Sequence, residues 1–271
     1  MPTHGQIVLS ALAVDTICTR LNVKLPPLLK PIGFGDTEEE RRMLHQRAWR
    51  DLESRGLVEY GELNRFLEDT FRTLARPALA VWATMMLDRQ NGIDAVAAAD
   101  GDFAVLAKVE SVEGTPRTEL SLTLEATRPT GLAYAAVGLL PDHPAGRGHS
   151  ISHPAEQIEQ AATSGARSAT QLRTAFANAG LRGTDAEFLA EVLSAERKRA
   201  GEFTARSFDP LSGRLRKSEY RVDFMDNVTG RFFLQQKTGS DGRRWFTLAP
   251  SDKKRLGAQV AELCSLVAPR N

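Results

Sequence analysis

Apolar positions repeat with the 3.6-residue period of an amphipathic helix in several segments of the chain. One such helix begins after Thr37, whose hydroxyl can accept the amide of Glu40 in a capping box, and ends at about Arg55 before Gly56. The other predicted helices span Leu12–Leu21, Glu62–Ala75, about Thr130–Leu140, about Pro154–Ser164, Ala169–Asn178, Asp185–Arg199 and a last helix that Pro250 opens. Helices are therefore predicted near both ends of the chain and in its middle.

Between the helices lie two runs of strand-like segments, in which β-branched, aromatic or alternating apolar residues are separated by turn residues. The first run comprises Ala78–Leu87, Ile93–Ala99, Phe103–Val109 and Arg117–Glu125, and a short strand at Gln6–Ala11 precedes it. The second run comprises Glu202–Phe208, Leu215–Met225, Arg231–Thr238 and Arg243–Leu248. Consecutive strands joined by short turns, with helices gathered before and after them, predict an α+β fold: a central, largely antiparallel sheet flanked by helical bundles.

The two halves of the chain repeat the same order of helices, four strands and a closing helix. The segment that begins Gly101-Asp102-Phe103 matches the segment that begins Gly230-Arg231-Phe232, at an offset of about 129 residues. We therefore expect a single domain over residues 1–271, with quasi-twofold halves at about 1–141 and 154–271 joined by a linker at 142–153. Two copies indicate a paired fold rather than a solenoid, which needs at least three repeats.

Composition places the chain among ordinary globular proteins, with 271 residues, 42% hydrophobic and 25% charged. No apolar run reaches the roughly 20 residues of a membrane helix, and no secretory signal is recognised, so we expect a cytoplasmic protein without membrane insertion. The two cysteines, Cys18 and Cys264, are expected to be reduced thiols. Residues 191–271 carry a net charge of +6 and residues 1–190 one of −5, an asymmetry too weak and interrupted to predict nucleic-acid binding.

The sequence carries almost no catalytic motifs, and we predict a non-enzyme without a cofactor or metal. Neither a phosphate-binding loop nor a dinucleotide fingerprint is present. The best metal candidates are His143, His149 and His153, but the nearby glycines and Pro154 argue against the helix that would bring two rings together. Solvated loop histidines are the preferred interpretation. The alternative is a small-molecule-binding or metal-dependent enzyme of α+β fold that uses the His143–His153 loop.

A candidate binding surface lies on the second run of strands. In the first of two strands, alternation places Arg221, Asp223 and Met225 on one face and apolar residues on the other. In the second strand it places Arg231, Phe233 and Gln235 on one face and Phe232 and Leu234 on the other. A polar face that carries Met225 and Phe233 is typical of an adaptable docking platform. These six residues are therefore the predicted partner-binding set. The alternative is that a helix of the same chain covers Met225 and Phe233.

The order of several short motifs over some 230 residues resembles that of the EspG family. The residues that carry the resemblance are Glu40-Arg41-Arg42, Leu52 to Leu57, Gly61-Glu62-Leu63, Leu74 to Pro77, Leu140-Pro141, Pro144, Gly148, Ser150 to Pro154, Asp226 to Phe232, Asp241-Gly242, Trp245 and Ala249-Pro250. The block from Asp226 to Phe232 is the most distinctive of them. None of these motifs is a catalytic signature.

The resemblance implies a cytosolic chaperone of a type VII (ESX) secretion system. Family members bind PE–PPE heterodimers through the apolar tip of the PPE helical hairpin, using the central sheet and the C-terminal helical bundle. They keep this client soluble and direct it to its own secretion system. The resemblance also implies a quasi-twofold fold with a central antiparallel sheet. A homodimer, either weak or built as a scaffold through a sheet edge, is the remaining alternative for a partner.

Overall fold

The structure is a computed structural model that describes residues 5–30, 33–166, 168–181 and 183–268. The helices are α1 (Ala11–Leu21), α2 (Glu38–Ser54), α3 (Arg65–Ala75), α4 (Leu132–Gly138), α5 (Ala155–Thr163), α6 (Ala169–Asn178), α7 (Thr184–Ser194) and α8 (Lys253–Val267). The strands are β1 (Ile7–Ser10), β2 (Val58–Glu59), β3 (Glu62–Leu63), β4 (Leu79–Met86), β5 (Asn91–Asp100), β6 (Phe103–Val112), β7 (Ser121–Ala126), β8 (Ile151–Pro154), β9 (Arg197–Asp209), β10 (Arg214–Lys217), β11 (Val222–Asn227), β12 (Gly230–Thr238) and β13 (Arg244–Pro250). The α+β prediction is confirmed.

One antiparallel sheet runs through the whole molecule, in the order β1-β7-β6-β5-β4-β9-β11-β12-β13-β8. β10 pairs with β9 beyond the end of β11, while β2 and β3 form a separate small hairpin. The two runs of strands meet where β4 pairs with β9 over seven residue pairs, from Ala80 opposite Arg206 to Met86 opposite Ala200. Because this seam is hydrogen-bonded along its length, the two halves share a single sheet.

Helices α4 and α8 cover one face of the sheet at this seam. Their apolar side chains pack with Val81 of β4, Phe203 of β9, Phe224 of β11 and Phe233 of β12 in one core cluster. The last helix predicted from the sequence is α8, and its apolar stripe faces this cluster, where four residues are buried: Leu256, Val260, Leu263 and Val267. We call this side of the sheet the covered face.

The opposite face carries two separate groups of helices. α1, α2 and α3 pack on β5, β6 and β7, whereas α5, α6 and α7 form a cluster with β8, β12 and β13. Strand register places both groups on the same face, since Trp82 lies opposite Thr204, Glu202 lies opposite Asp223, and Asp223 lies opposite Leu234. Trp82 belongs to the first cluster and Leu234 packs against the second. The central strands β4, β9 and β11 lie between them.

The predicted bounds of three segments are wrong. The segment Leu215–Met225 is not one strand, because the chain leaves β9 after β10 and returns to it as β11, with Ser218–Arg221 as the connection. The helix predicted over Asp185–Arg199 ends at Ser194, since Ala195 has extended backbone angles and Arg197 already belongs to β9. The predicted helix Glu62–Ala75 begins later, at Arg65, where the Asn64 side chain accepts the amide of Leu67.

The strand order is the same in both halves when it is read outward from the seam. β4-β5-β6-β7-β1 in the first half corresponds to β9-β11-β12-β13-β8 in the second, and each half ends with a helix on the covered face. This connectivity agrees with the predicted repeat. Superposition of the halves about a twofold axis, and the division at a linker over 142–153, remain predictions. Across the part of the chain that the structure describes, no helix has both the length and the apolar character needed to span a membrane.

Candidate functional site

A groove lies on the open face of the sheet, between the two groups of helices. Its floor is formed by β4, β9, β11 and β12, and it encloses about 420 Å³. We call it the central groove, and its lining includes Thr84, Met86, Glu202, Arg221, Asp223 and Leu234. Because its floor is a hydrogen-bonded sheet, the groove exists without any rearrangement of the backbone.

The polar part of the central groove is a cluster of three charged side chains. The guanidinium of Arg221 donates from Nη1 to Glu202 Oε2 at 2.7 Å, and its Nε lies 2.9 Å from Asp223 Oδ1. Burial raises the pKa of Asp223 above its usual range, the Arg221 charge opposes that shift, and Glu202 adds to it. Two carboxylates share one cation, so the cluster carries an excess of one negative charge when both are ionised.

The apolar part of the groove centres on the end of β4. Met86 leaves 59% of its surface exposed there, beside Ala200 and Gly201 of β9 and near Leu234 of β12. No side chain could replace hydrogen at Gly201 without a clash, because a Cβ would lie 2.3 Å from the Thr84 carbonyl oxygen. This glycine therefore permits the close packing of β9 against β4 beneath the groove.

The structure divides the six predicted partner-binding residues between the two faces of the sheet. Phe224 lies directly opposite Phe233, and Met225 lies directly opposite Phe232. Met225 and Phe233 therefore point to opposite sides, and the single platform that was predicted to carry both does not exist. Arg221 and Asp223 line the central groove, with Met225 buried at its margin in the cluster of α5–α7.

The other three residues of the set lie on the covered face. Phe233 is buried in the cluster of α4 and α8, with the Arg255 guanidinium 5.5 Å from its ring centroid. Gln235 and Arg231 are also buried. The alternative interpretation, in which helices of the same chain cover Met225 and Phe233, is thus correct for both residues, although different helices cover them. A client cannot reach Arg231 and Phe233 on the folded surface, whereas Gln235 lines a second cavity together with Tyr220 and Lys237.

Arg231 holds the connection between the two halves in place. Its side chain is fully buried and forms a two-point ion pair with Asp226, and Nη2 also donates to the Pro141 carbonyl oxygen at 3.0 Å. The backbone of Arg231 donates to the Pro144 carbonyl and accepts the amides of Gly146 and Ser251. The Asn227 side chain donates to the Val192 carbonyl oxygen at 3.0 Å. The block from Asp226 to Phe232 therefore attaches residues 141–146 and α7 to the sheet.

The three candidate histidines are engaged by neighbouring polar groups. His149 Nε2 and His153 Nε2 each lie 2.9 Å from one carboxylate oxygen of Asp185, at the start of α7. His143 Nε2 lies 3.0 Å from the backbone oxygen of Asn227. Among the described residues, no group of three or more histidine, cysteine or acidic side chains is arranged to hold a metal ion. The histidines thus link the connecting segment to α7 and β11.

Sequence reasoning missed Glu202, Thr84 and Met86 as groove residues. Each lies in a segment that was correctly predicted as a strand, but the pairing of β9 with β4 joins residues more than 100 positions apart. The only local signal was the position of Met86 at the end of β4, where exposed side chains are common. These three residues meet in the groove only because of the order of the strands in the sheet.

The chain is an α+β protein built on one long antiparallel sheet. Two groups of helices lie on one face of this sheet, and a pair of helices lies on the other. The sequence matches the EspG family over residues 10–262, and the chain belongs to this family. A solved structure with a similar fold is the Mycobacterium tuberculosis type VII secretion system chaperone EspG5 in complex with a PE25–PPE41 dimer. It shares 14% sequence identity and a TM-score of 0.74, over 97% of this chain and 96% of that chain.

Two further comparisons add nothing to the assignment. A 12:0-ACP thioesterase from Umbellularia californica has a TM-score of 0.16 and 9% identity, over 93% of this chain and 100% of that chain, which is too low to bear on fold or function. No curated protein matches the sequence.

Proposed function

We propose that this protein is a cytosolic chaperone for a PE–PPE heterodimer, binding the apolar helical tip of the PPE subunit and delivering the dimer to a type VII secretion system. The observation that carries the proposal is the open central groove in a chain of the EspG family. The EspG5 structure of similar fold holds a PE25–PPE41 dimer. The protein would act by covering apolar surface, without making or breaking a bond.

The composition of the groove supports this role. An exposed methionine beside the open part of the sheet offers adaptable apolar contact, which suits a client tip that would otherwise promote aggregation. The Glu202–Arg221–Asp223 cluster at its margin can provide the polar rim of such an interface. Of the six residues predicted from the sequence, Arg221 and Asp223 keep their proposed place beside the client, whereas Met225 is buried beneath the margin of the groove.

Co-expression with a candidate PE–PPE pair, followed by size-exclusion chromatography and titration calorimetry, tests the proposal. Met86→Asp introduces a charge into the groove at an exposed position, so the fold should be retained while client binding is lost. Losing one apolar anchor of about 1.5–3 kcal/mol weakens binding roughly 10- to 150-fold, and the buried charge adds to the loss.

Met43→Asp is the matched control. Met43 lies on α2 and is 61% exposed, compared with 59% for Met86, but it is remote from the groove. We expect this variant to bind the client like the wild type. Equal binding by the Met86→Asp variant and the wild type would exclude the groove as the client site.

A further inference from the structure

A cationic site lies at the other end of β9, on the same face of the sheet as the central groove. The Arg206 guanidinium carbon is 3.6 Å from the centroid of the Trp82 ring, so the two side chains are stacked. Lys217 of β10 lies directly opposite Arg206 in the strand ladder. Two residues further along β9, Phe208 lies beneath Arg76, whose guanidinium carbon is 5.5 Å from the ring centroid. Three cations are thus grouped around two aromatic rings.

These cations have no acidic counterpart. Among the described residues, no ion pair joins Arg76, Arg206 or Lys217 to a carboxylate, although many other arginines of the chain are paired. Burial lowers the pKa of Arg206, and no neighbouring carboxylate offsets that shift. Like charges directly opposite each other in a ladder are unfavourable, so the free protein holds this arrangement at a cost.

Two buried donors at the site also have no acceptor. Trp82 is 8% exposed and its Nε1 makes no hydrogen bond, and the same is true of the buried Nε of Arg206. Buried polar groups in folded proteins are nearly always satisfied, so two orphan donors on two stacked side chains need an explanation. An anionic group placed between Arg206 and Lys217 would supply the missing charge and would accept hydrogen bonds from the terminal nitrogens of both side chains.

The site lies on the same strand and the same face of the sheet as the central groove. Arg206 and Glu202 lie four residues apart on one strand and on one face, which corresponds to about 13 Å. We infer that Arg206, Lys217 and Trp82 form a subsite that binds a carboxylate side chain of the client polypeptide. The planar fork of an arginine fits a carboxylate with two parallel hydrogen bonds. This subsite rests on the proposed chaperone function.

The subsite would also give the groove a direction. One end carries the unpaired positive charge of Arg206 and Lys217, whereas in the groove lining the charges of Glu202 and Asp223 are balanced by those of Arg221 and Arg197. A client segment with an acidic residue at one end therefore fits with that end near Arg206. A client that places a basic residue there would be rejected by repulsion, which is a means of specificity.

The test compares Arg206→Gln and Lys217→Gln with Arg216→Gln. Arg216 is the neighbour of Lys217 on β10 and carries the same charge, but it lies opposite Ser207 and therefore on the other face. Affinity for the PE–PPE heterodimer that co-purifies with the wild type is measured at about 50 mM and about 500 mM sodium chloride. Thermal denaturation of each variant checks that it is folded.

We expect Arg206→Gln to weaken binding about 10- to 100-fold at low salt and to reduce the salt dependence of binding. Lys217→Gln should have the same two effects, but smaller. Arg216→Gln should bind like the wild type. Wild-type affinity and salt dependence in both Arg206→Gln and Lys217→Gln would overturn the subsite and leave the chaperone function standing. Failure of the wild type itself to bind any heterodimer would remove the function and the subsite together.

A third outcome concerns the source of the anion. If about 10 mM inorganic phosphate raises the melting temperature of the wild type but not of Arg206→Gln, while both bind the heterodimer equally, the site takes a free anion. The assignment to a client carboxylate would then be wrong.

Discussion

Arg231 and Asp226 form a fully buried ion pair across adjacent strands, with Nε 2.7 Å from one carboxylate oxygen and Nη2 2.8 Å from the other. Asp226 also lies 3.5 Å from Nη1 of Arg199. Because each charge depends on the other for its solvation, removal of one leaves an uncompensated buried charge. The pair is therefore structural, and it joins β11 and β12 to the connecting segment at Pro141.

We predict that Asp226→Asn lowers the free energy of unfolding by roughly 3–5 kcal/mol, because Arg231 keeps its charge in the interior. Urea denaturation followed by circular dichroism measures the change. Asp69→Asn, which breaks the exposed Arg65–Asp69 pair on α3, is the control and should cost less than about 1 kcal/mol. Equal, small losses in both variants would contradict the structural role of the buried pair.

Because Arg231 and Phe233 are buried, substitutions such as Arg231→Glu and Phe233→Asp cannot test client binding directly. Placed on an open platform, either charge would block a client and leave the fold intact. On the covered face both variants introduce a charge that has no partner, so loss of client binding would reflect unfolding. Substitutions at Met86 and Arg206 avoid this ambiguity because their side chains reach the surface.

Part of the fold followed directly from local patterns in the sequence. The Thr37 hydroxyl accepts the amide of Glu40 at 3.1 Å, as the capping box predicted, and Glu40 reaches back to the amide of Asp36. The stripe of α8 and the alternation at Leu122 and Leu124 of β7 also correspond to buried positions. These features depend on residues a few positions apart, so the sequence alone defines them.

The faces of β11 and β12 could have been predicted, but were not. Asn227 pairs with Gly230, so the hairpin turn contains only Val228 and Thr229, and this fixes Phe224 opposite Phe233. When each strand is considered separately, Met225 and Phe233 are placed on one surface. Counting residue pairs outward from the two-residue turn places them on opposite faces. The burial of Arg231, in contrast, depends on the path of residues 141–146, for which no local pattern exists.

The two thiols are predicted to be unreactive in the folded protein. Burial raises the pKa of Cys18 to about 12 and that of Cys264 to about 11, so very little thiolate forms at neutral pH. A disulfide reagent such as Ellman's should label neither thiol rapidly in the native state, and both in about 6 M guanidinium chloride. Of the two, Cys264 should react first. Rapid labelling of native Cys18 would show that the packing of α1 is looser than described.

A pH-dependent contribution to stability is expected from Asp185. Hydrogen bonds from His149 and then His153 lower the pKa of this carboxylate in the folded state. A lowered pKa stabilises the fold above the unfolded value of about 3.9, and the contribution disappears as the pH falls through the folded value. Since a third of the side chain is exposed, the effect should be less than about 1 kcal/mol.

The measurement compares the unfolding free energies of the wild type and Asp185→Ala between about pH 5 and about pH 3. The difference should narrow as the pH decreases. A difference that stays constant over this range would mean that the carboxylate contributes by packing rather than by its charge.

The seam between β4 and β9 determines what would happen to a chain cleaved within residues 142–150. Each fragment would keep most of its own strands. The N-terminal fragment would hold β4 without its neighbour β9, and the C-terminal fragment would hold β9 without its neighbour β4, so each would lose a seven-residue ladder. Bare strand edges of that length readily bind further strands, so the natural partner of either fragment is the other. Proteolytic nicking of this segment should therefore leave a non-covalent complex held by backbone hydrogen bonds, rather than two independent products.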